Sequence, residues 1–320
     1  MPATTRRAPC RLLLAAALAC SLCSAPAATT AAEEPAPLAL NEVASGVYVH
    51  AGAIEDWLPR NGGDIANLGF VVGSRCVAVI DSGGTPPLGE RWRATIERTT
   101  RVPICYVIDT HAHPDHVLGN AAFAGAGTRF VASAKFNAAM AAREPHFLRA
   151  LARDFGISVT HEALAYPTIA VDGTHELDLG DRVLELRAWP TAHTDNDLTV
   201  YDRSTRTLFA SDLLFIGHIP VVDGSLRGWL AVMKDLAAID VARVVPGHGP
   251  LGNDWPAAMQ PQRDYLETLQ RETRAALKAH KTLSQAVDSI GTQAASRWQL
   301  AELFHRRNVT AAYAELEWEE

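Results

Sequence analysis

The stretch Asp109–Asn120 reads DTHAHPDHVLGN, and three histidines and two aspartates fall between Asp109 and His116. Imidazole and carboxylate are metal ligands and proton carriers, and each is costly to bury unpaired. The run leading into the cluster, Ile104–Asp109 (ICYVID), is short and apolar, as a buried strand is. In an extended loop alternate residues point the same way, so His111 and His113 can reach one ion. Asp115 and His116 follow at once and point elsewhere. One loop thus supplies two groups of ligands, suited to two adjacent ions.

Upstream, Gly46–His50 (GVYVH) and Asn67–Val72 (NLGFVV) read as strands, with a loop rich in Gly, Asp, Trp and Pro between them. Cys76–Asp81 (CVAVID) is a buried strand followed by a Gly-Gly-x-Pro-Pro turn. Leu88, Trp92 and Ile96 then share one helical face. A strand–helix–strand unit with parallel strands follows. It places the histidine cluster at the carboxyl end of a strand, where α/β folds bind ligands. Further strands are expected at Arg129–Ala132, Val183–Trp189, Leu198–Tyr201, Thr207–Ala210 and Arg243–Val245. Helices are expected at Ala134–Arg143, His146–Asp154, Gly228–Ile239, Pro256–Ala279 and Ala295–Leu316. The fold class is mixed α/β: one domain over 41–255, with a helical segment over 256–320 packed on it.

Four ligands on one loop cannot close two sites. Candidates for the rest stand just after apolar runs: His193, Asp212 and His248, the last in Pro246-Gly247-His248-Gly249. Together the pattern HAHPDH, His193, Asp212 and His248 resembles the metallo-β-lactamase superfamily, whose motif is H-x-H-x-D-H, a third His, a bridging Asp and a final His. The resemblance covers residues 43–252 and implies an αβ/βα four-layer sandwich with metals at the shared edge of two sheets. By position it assigns His111, His113 and His193 to one ion, Asp115, His116 and His248 to the other, and Asp212 to both. Two zinc ions are implied, and iron is the alternative that N/O donors also admit.

Asp212 narrows the resemblance, because β-lactamases of the family generally lack it. The stretches NGGDIANLGFVVG, PTAHTDNDLTV, DLLFIGHIPVVDGSLRGWL, VVPGHGP and HRRNVTAAYAELEWE are similar to the quinoprotein relay system zinc metallohydrolases, some called SoxH-like. That likeness implies an exported hydrolase with a functional link to a quinoprotein dehydrogenase. Two ions sharing a water would give hydroxide near neutral pH, for attack on an ester, thioester, lactone or amide carbonyl. Asp115 would orient the water and shuttle its proton. Rival readings are a non-haem iron enzyme oxidising persulfides and a non-catalytic periplasmic metal-binding accessory.

Supporting residues are expected around the cluster. Asp81 and Asn67 are second-shell or site-facing candidates, with turn residue and turn cap as equal alternatives. Asp197, four after His193, reads as a supporting carboxylate slightly ahead of a plain loop carboxylate. His218 reads as a hydrogen-bonded structural histidine ahead of a pocket residue, and Trp57 as either part of a lid loop or an ordinary packed ring. His50, His146, His161, His175, His280 and His305 lack motif context and read as surface or core.

The N-terminus reads as a secretory signal over residues 1–27: Arg6, Arg7 and Arg11, then the apolar Leu12–Cys23, then Ala25-Pro26-Ala27. The apolar run is short for a membrane anchor. Plain cleavage near Ala27 is preferred to twin-arginine export, which Pro9 and Cys10 spoil, and to lipidation at Cys20. Residues 28–40 read as a disordered tether. The mature chain holds 26 basic against 36 acidic residues, a net charge of −10, which argues against nucleic acid or anionic lipid as partner; the expected partner is a small-molecule substrate. The expected location is periplasmic or secreted. Only Cys76 and Cys105 remain there, and an oxidising compartment permits a disulfide. Parallel neighbouring strands are an awkward place for one, so two packed thiols are slightly preferred.

Overall fold

Two facing sheets carry the chain. The computed structural model describes residues 1–5 and 36–319, except 126 and 253. From residue 6 onward the expected leader lies outside the described residues, as does the expected tether up to residue 35. The first sheet contains β1 (Asn41–Ala44), β2 (Val47–His50), β3 (Leu68–Val72), β4 (Val77–Ile80), β5 (Ile104–Ile108), β6 (Arg129–Ser133) and β7 (Ile169–Val171), in that spatial order. It is antiparallel from β1 to β4 and parallel from β4 to β7. The second contains β8 (Thr174–Asp178), β9 (Val183–Ala188), β10 (Leu198–Asp202), β11 (Thr207–Phe215) and β12 (Arg243–His248), ordered β12-β11-β10-β9-β8.

Period-two patterning explains the layers. Val47 and Val49, Ala78 and Ile80, Leu184 and Leu186, Leu198 and Val200 all bury into one core between the sheets. The alternate residues Val77 and Val79 face outward onto α1 (Pro86–Thr99), through Leu88, Trp92 and Ile96. Strands buried on both faces read as continuous apolar runs, which is how CVAVID and ICYVID look. Thr85 caps α1, its hydroxyl accepting from the Leu88 N–H at 3.3 Å. After β5, Pro114 opens a single helical turn, α2 (Pro114–Val117). The same face of the first sheet carries α3 (Phe136–Ala150). On the second sheet's outer face lie α4 (Leu226–Ala237), α5 (Gln260–Lys278), α6 (Leu283–Val287), α7 (Thr292–Ala295) and α8 (Ala301–Leu316). The order helix, sheet, sheet, helix is the expected four-layer α/β sandwich, helical C-terminal segment included.

Several expectations are corrected. The helices predicted at Ala134–Arg143 and His146–Asp154 are one helix, α3, running through Pro145 into a π-turn at Leu151–Phe155. Burial of Phe136, Met140, Phe147 and Leu151 along one face outweighs the hydrogen bond Pro145 cannot donate. The helix predicted from Ala295 breaks at Leu300, whose φ is 60°. Strand β11 continues to Phe215, so Asp212 lies within a fully buried strand rather than after one, and β12 extends to His248 itself. The tether ends earlier than expected: Leu38 is buried and its N–H donates to Thr95 Oγ1 at 2.9 Å.

The cysteines are also corrected, for Cys76 and Cys105 form a disulfide with Cα atoms 5.5 Å apart. The reason lies in the register. Val77 pairs with Ile104 but Ala78 pairs with Tyr106, so Cys105 is the extra residue of a bulge and escapes the side-by-side packing of a regular parallel ladder. Thiol titration of the unfolded, unreduced protein is expected to find neither Cys76 nor Cys105 free. Reduction is expected to lower unfolding free energy by about 3.6 kcal/mol, given a sequence separation of 29 residues; free thiols at Cys76 and Cys105 would contradict the bridge.

Candidate metal centre

The carboxyl ends of β4, β5, β11 and β12 meet at one edge of the sandwich. Asp81 follows β4, the histidine loop follows β5, Asp212 sits near the end of β11 and His248 ends β12. His193 arrives from the loop between β9 and β10. All seven sequence-predicted ligands come together there.

Their donor atoms form two groups, His111, His113, His193 and Asp212 in one and Asp115, His116 and His248 in the other. In the first, His113 Nδ1 lies 3.0 Å from His111 Nε2 and 3.1 Å from His193 Nε2. Asp212 Oδ2 lies 3.3 Å from His193 Nε2 and 3.7 Å from His111 Nε2. In the second, Asp115 Oδ2 lies 3.4 Å from His116 Nε2 and 3.3 Å from His248 Nε2. Asp212 reaches this group too, with Oδ1 3.2 Å from His116 Nε2 and Oδ2 3.4 Å from His248 Nε2. Donors about 2.0–2.1 Å from a shared tetrahedral ion sit about 3.3 Å from one another, which is the spacing seen. His116 Nε2 and Asp212 Oδ1 are buried and have no hydrogen-bond partner among the described residues. Orphaned polar atoms aimed at each other's lone pairs fit a pair of divalent cations.

Hydrogen bonds behind the rings set which nitrogen points inward. His193 Nδ1–H donates to Val221 O at 2.7 Å and His248 Nδ1–H to Ile65 O at 2.9 Å. Carbonyl oxygen only accepts, so Nδ1 carries a proton in both rings and Nε2 is the atom turned to the centre. His116 Nδ1 bonds Asp81 Oδ2 at 2.8 Å. Asp81 also accepts from the Thr110 N–H and hydroxyl, so Thr110 Oγ1 is left to accept from His111 Nδ1–H at 3.2 Å. His113 is turned over: its Nε2 bonds Asp223 Oδ2 at 3.0 Å, leaving Nδ1 for the centre. Such outer partners orient metal-binding imidazoles.

Burial pushes the neutral-ring histidines down, His193 to about 4 and His111 well below its usual value. In the second group burial is outweighed by carboxylates. Asp212 and Asp115 hold His248 up at about 10, and with Asp81 they hold His116 well above its usual value. Burial would raise Asp115 and Asp212, but His116 and His248 keep both below the usual carboxylate range. Without cations, this pocket keeps protons where positive charge is wanted.

The other expected residues sort as follows. Asp81 is the carboxylate behind His116, held in a left-handed conformation at φ 59°. Among the described residues Asp197 hydrogen-bonds no candidate ligand side chain; it accepts from the Thr194 N–H and hydroxyl, closing the loop that carries His193, and burial pushes it up to about 7. Asn67 is neither turn cap nor site-facing. Its Nδ2 donates to Pro246 O and Gly249 O at 2.9 Å each, and its N–H donates to Gly247 O, clamping the end of β12. His218 is both structural and cavity-lining: Nδ1–H donates to Ile219 O, and the ring lies 5.0 Å from that of His248. Trp57 lines the same cavity, with its Nε1–H on Gly84 O and its ring 4.6 Å from Phe155. This cavity is about 530 Å³ and is lined in part by His113, Asp115, His193, Asp212 and His248.

The sequence did not single out Thr110, Arg143, Asp223 or Arg307, and it left His146 outside the site. Asp223 sits in VVDGS, where an acid before Gly-Ser looks like any turn. His146, read as surface or core, lines the cavity because α3 does not stop at Pro145. His50 and His305 are held by Asp64 and by Tyr265, away from the centre.

A Cβ on Gly247 would lie 1.8 Å from Asp212 Oδ1. Gly247→Ala is therefore expected to displace that carboxylate and cut bound metal to one ion per chain or fewer by elemental analysis, while far-ultraviolet circular dichroism stays unchanged. Metal uptake is expected to release protons, because His248 and His116 are held protonated at neutral pH. Affinity should then fall as pH drops from 8 to 6, and calorimetry in buffers of different ionisation enthalpy measures the released protons; uptake without proton release would contradict the charge assignment.

Comparison with known proteins agrees with the fold. The chain is similar to a metallo-beta-lactamase from Pontibacter korlensis, at 19% identity and a TM-score of 0.59, covering 72% of this chain and 99% of that one. The stereoselective inverting sec-alkylsulfatase of a Pseudomonas species matches 88% of this chain over 51% of its own, at 17% identity and a TM-score of 0.67. A metallo-beta-lactamase from Hirschia baltica matches 72% of this chain over 98% of its own, at 17% identity and a TM-score of 0.56. No curated protein sequence matches the chain. The family model of the metallo-beta-lactamase superfamily matches residues 61–248, from the loop before β3 to the last candidate ligand, and the chain belongs to that superfamily.

Proposed function

We propose that the protein is an exported dinuclear zinc hydrolase that cleaves an ester, thioester, lactone or amide bond. The observation that carries this is Asp212, whose carboxylate reaches the donors of both groups at once. His111, His113, His193 and Asp212 would hold one ion, and Asp115, His116, His248 and Asp212 the other. A bound pair supplies Lewis acidity and lowers the pKa of a water. Asp115 lines the cavity and orients the attacking water, takes its proton and passes it to the leaving group. Trp57, Phe215 and Val221 form apolar cavity wall that limits water beside the reacting carbonyl.

The similarity to quinoprotein relay system metallohydrolases supports a link to a quinoprotein dehydrogenase. The Cys76–Cys105 bridge supports an oxidising compartment, periplasmic or extracellular. An all N/O donor set also admits iron, and the persulfide-oxidising reading rests on that alone. Metal analysis with oxygen consumption separates the two: zinc without oxygen uptake is expected.

Asp212→Ala is expected to lower metal content, and to reduce turnover on an ester, thioester and lactone panel by at least about 10³-fold, the scale on which a site loses electrostatic stabilisation. Melting should remain cooperative. Full metal loading with wild-type turnover would refute the assignment, and a fully loaded wild-type protein inert across the panel would favour a non-catalytic metal-binding role.

A further inference from the structure

Asp223 does more than hold His113. Its Oδ2 takes both His113 Nε2 at 3.0 Å and the Arg143 guanidinium at 3.3 Å. Its Oδ1 takes the Arg307 guanidinium at 2.7 Å. The two arginines come from opposite halves of the sandwich, Arg143 from α3 and Arg307 from α8, and both line the metal cavity beside Phe304 and His146. Each remains partly open to solvent, at 30% and 53% of the side chain. Two guanidinium charges against one carboxylate leave a surplus positive charge. A guanidinium carries five N–H donors, and among the described residues Arg307 donates to Asp223 alone. On the wall across, Glu55 is already paired with Arg60 at 3.2 Å, which leaves Asp56 as the rim acid there.

We propose that Arg143 and Arg307, braced on Asp223, form an oxyanion clamp at the mouth of the metal cavity, so that the substrate is an acyl compound bearing a second, free carboxylate near its scissile bond. The hydrolase reading is needed only for the word substrate; the clamp itself is a binding site. The planar fork of a guanidinium matches a carboxylate through paired N–H bonds. Because Asp223 is the shared brace, the clamp lies one carboxylate away from a candidate metal-binding ring. The bound anion is thereby placed beside the reacting centre rather than at a remote surface.

The test uses the zinc-loaded full chain and two probes, glutarate and butyrate, titrated calorimetrically. Both carry a carboxylate that can reach the metals, and only glutarate carries a second. The wild type is expected to bind glutarate about tenfold or more tightly than butyrate, the scale of one charged hydrogen-bonded contact. In Arg307→Gln, and separately in Arg143→Gln, that ratio is expected to fall to about one to three, with butyrate affinity and zinc content unchanged. Arg307→Lys, which keeps the charge and loses the fork, should give an intermediate ratio. An undiminished ratio in both Gln variants overturns the clamp. So does a joint loss of zinc and butyrate binding in both, which would mean the arginines serve only to hold Asp223 under His113. Failure of all hydrolysis on the ester panel would sink the hydrolase reading and leave the glutarate ratio standing.

Discussion

The structure depends on tethering the outer face of each imidazole. A histidine side chain has two nitrogens and a freely rotating ring. It becomes a directed donor only when one nitrogen is fixed from behind. Here the five ligand histidines are fixed by Thr110, Asp223, Asp81, Val221 O and Ile65 O, which come from four segments of chain, Val221 and Asp223 sharing the loop between β11 and α4. The sandwich exists in functional terms to bring those segments to one edge. The parallel pairs β4–β5 and β11–β12 end there together, which is why the two sheets and not one contribute.

Charge distribution follows from the same arrangement. The first group holds three histidines and shares one carboxylate, so burial dominates at His111 and His193 and pushes both rings toward the neutral form. The second adds Asp115 and has Asp81 behind it, so its rings are pushed toward the charged form. The two candidate sites therefore differ in their demand for positive charge, although they share Asp212 and lie side by side. A second pair of acids and bases continues the network outward through Asp223 to Arg143 and Arg307.

What the sequence made legible was whatever is local or stands after an apolar run. HAHPDH is contiguous, and His193, Asp212 and His248 each trail a run of Val, Leu and Phe, so all seven were readable. Asp81 was readable for the same reason, at the end of CVAVID. Asp223 was not, because its partner lies 110 residues away and its own surroundings look like a turn. Val221 O and Ile65 O leave no trace at all, since every residue offers a carbonyl. The disulfide hinged on a one-residue bulge, which changes side-chain direction without changing the pattern of apolar residues. Strands β7 and β8 are short, and THELD alternates too weakly to declare itself.

Asn67 gives the edge its permanence. From β3's approach it feeds two protons to carbonyls of Pro246 and Gly249, gives its own N–H to Gly247 O, and accepts from Gly52 at 3.2 Å. No other short side chain offers two donors on one atom and an acceptor beside them. Aspartate would set oxygen against two carbonyl oxygens, and glutamine would overreach by a methylene. The two sheets are thus latched across the metal edge by a single amide, and a substitution there leaves the carbonyls of Pro246 and Gly249 without their shared donor and frees the end of β12.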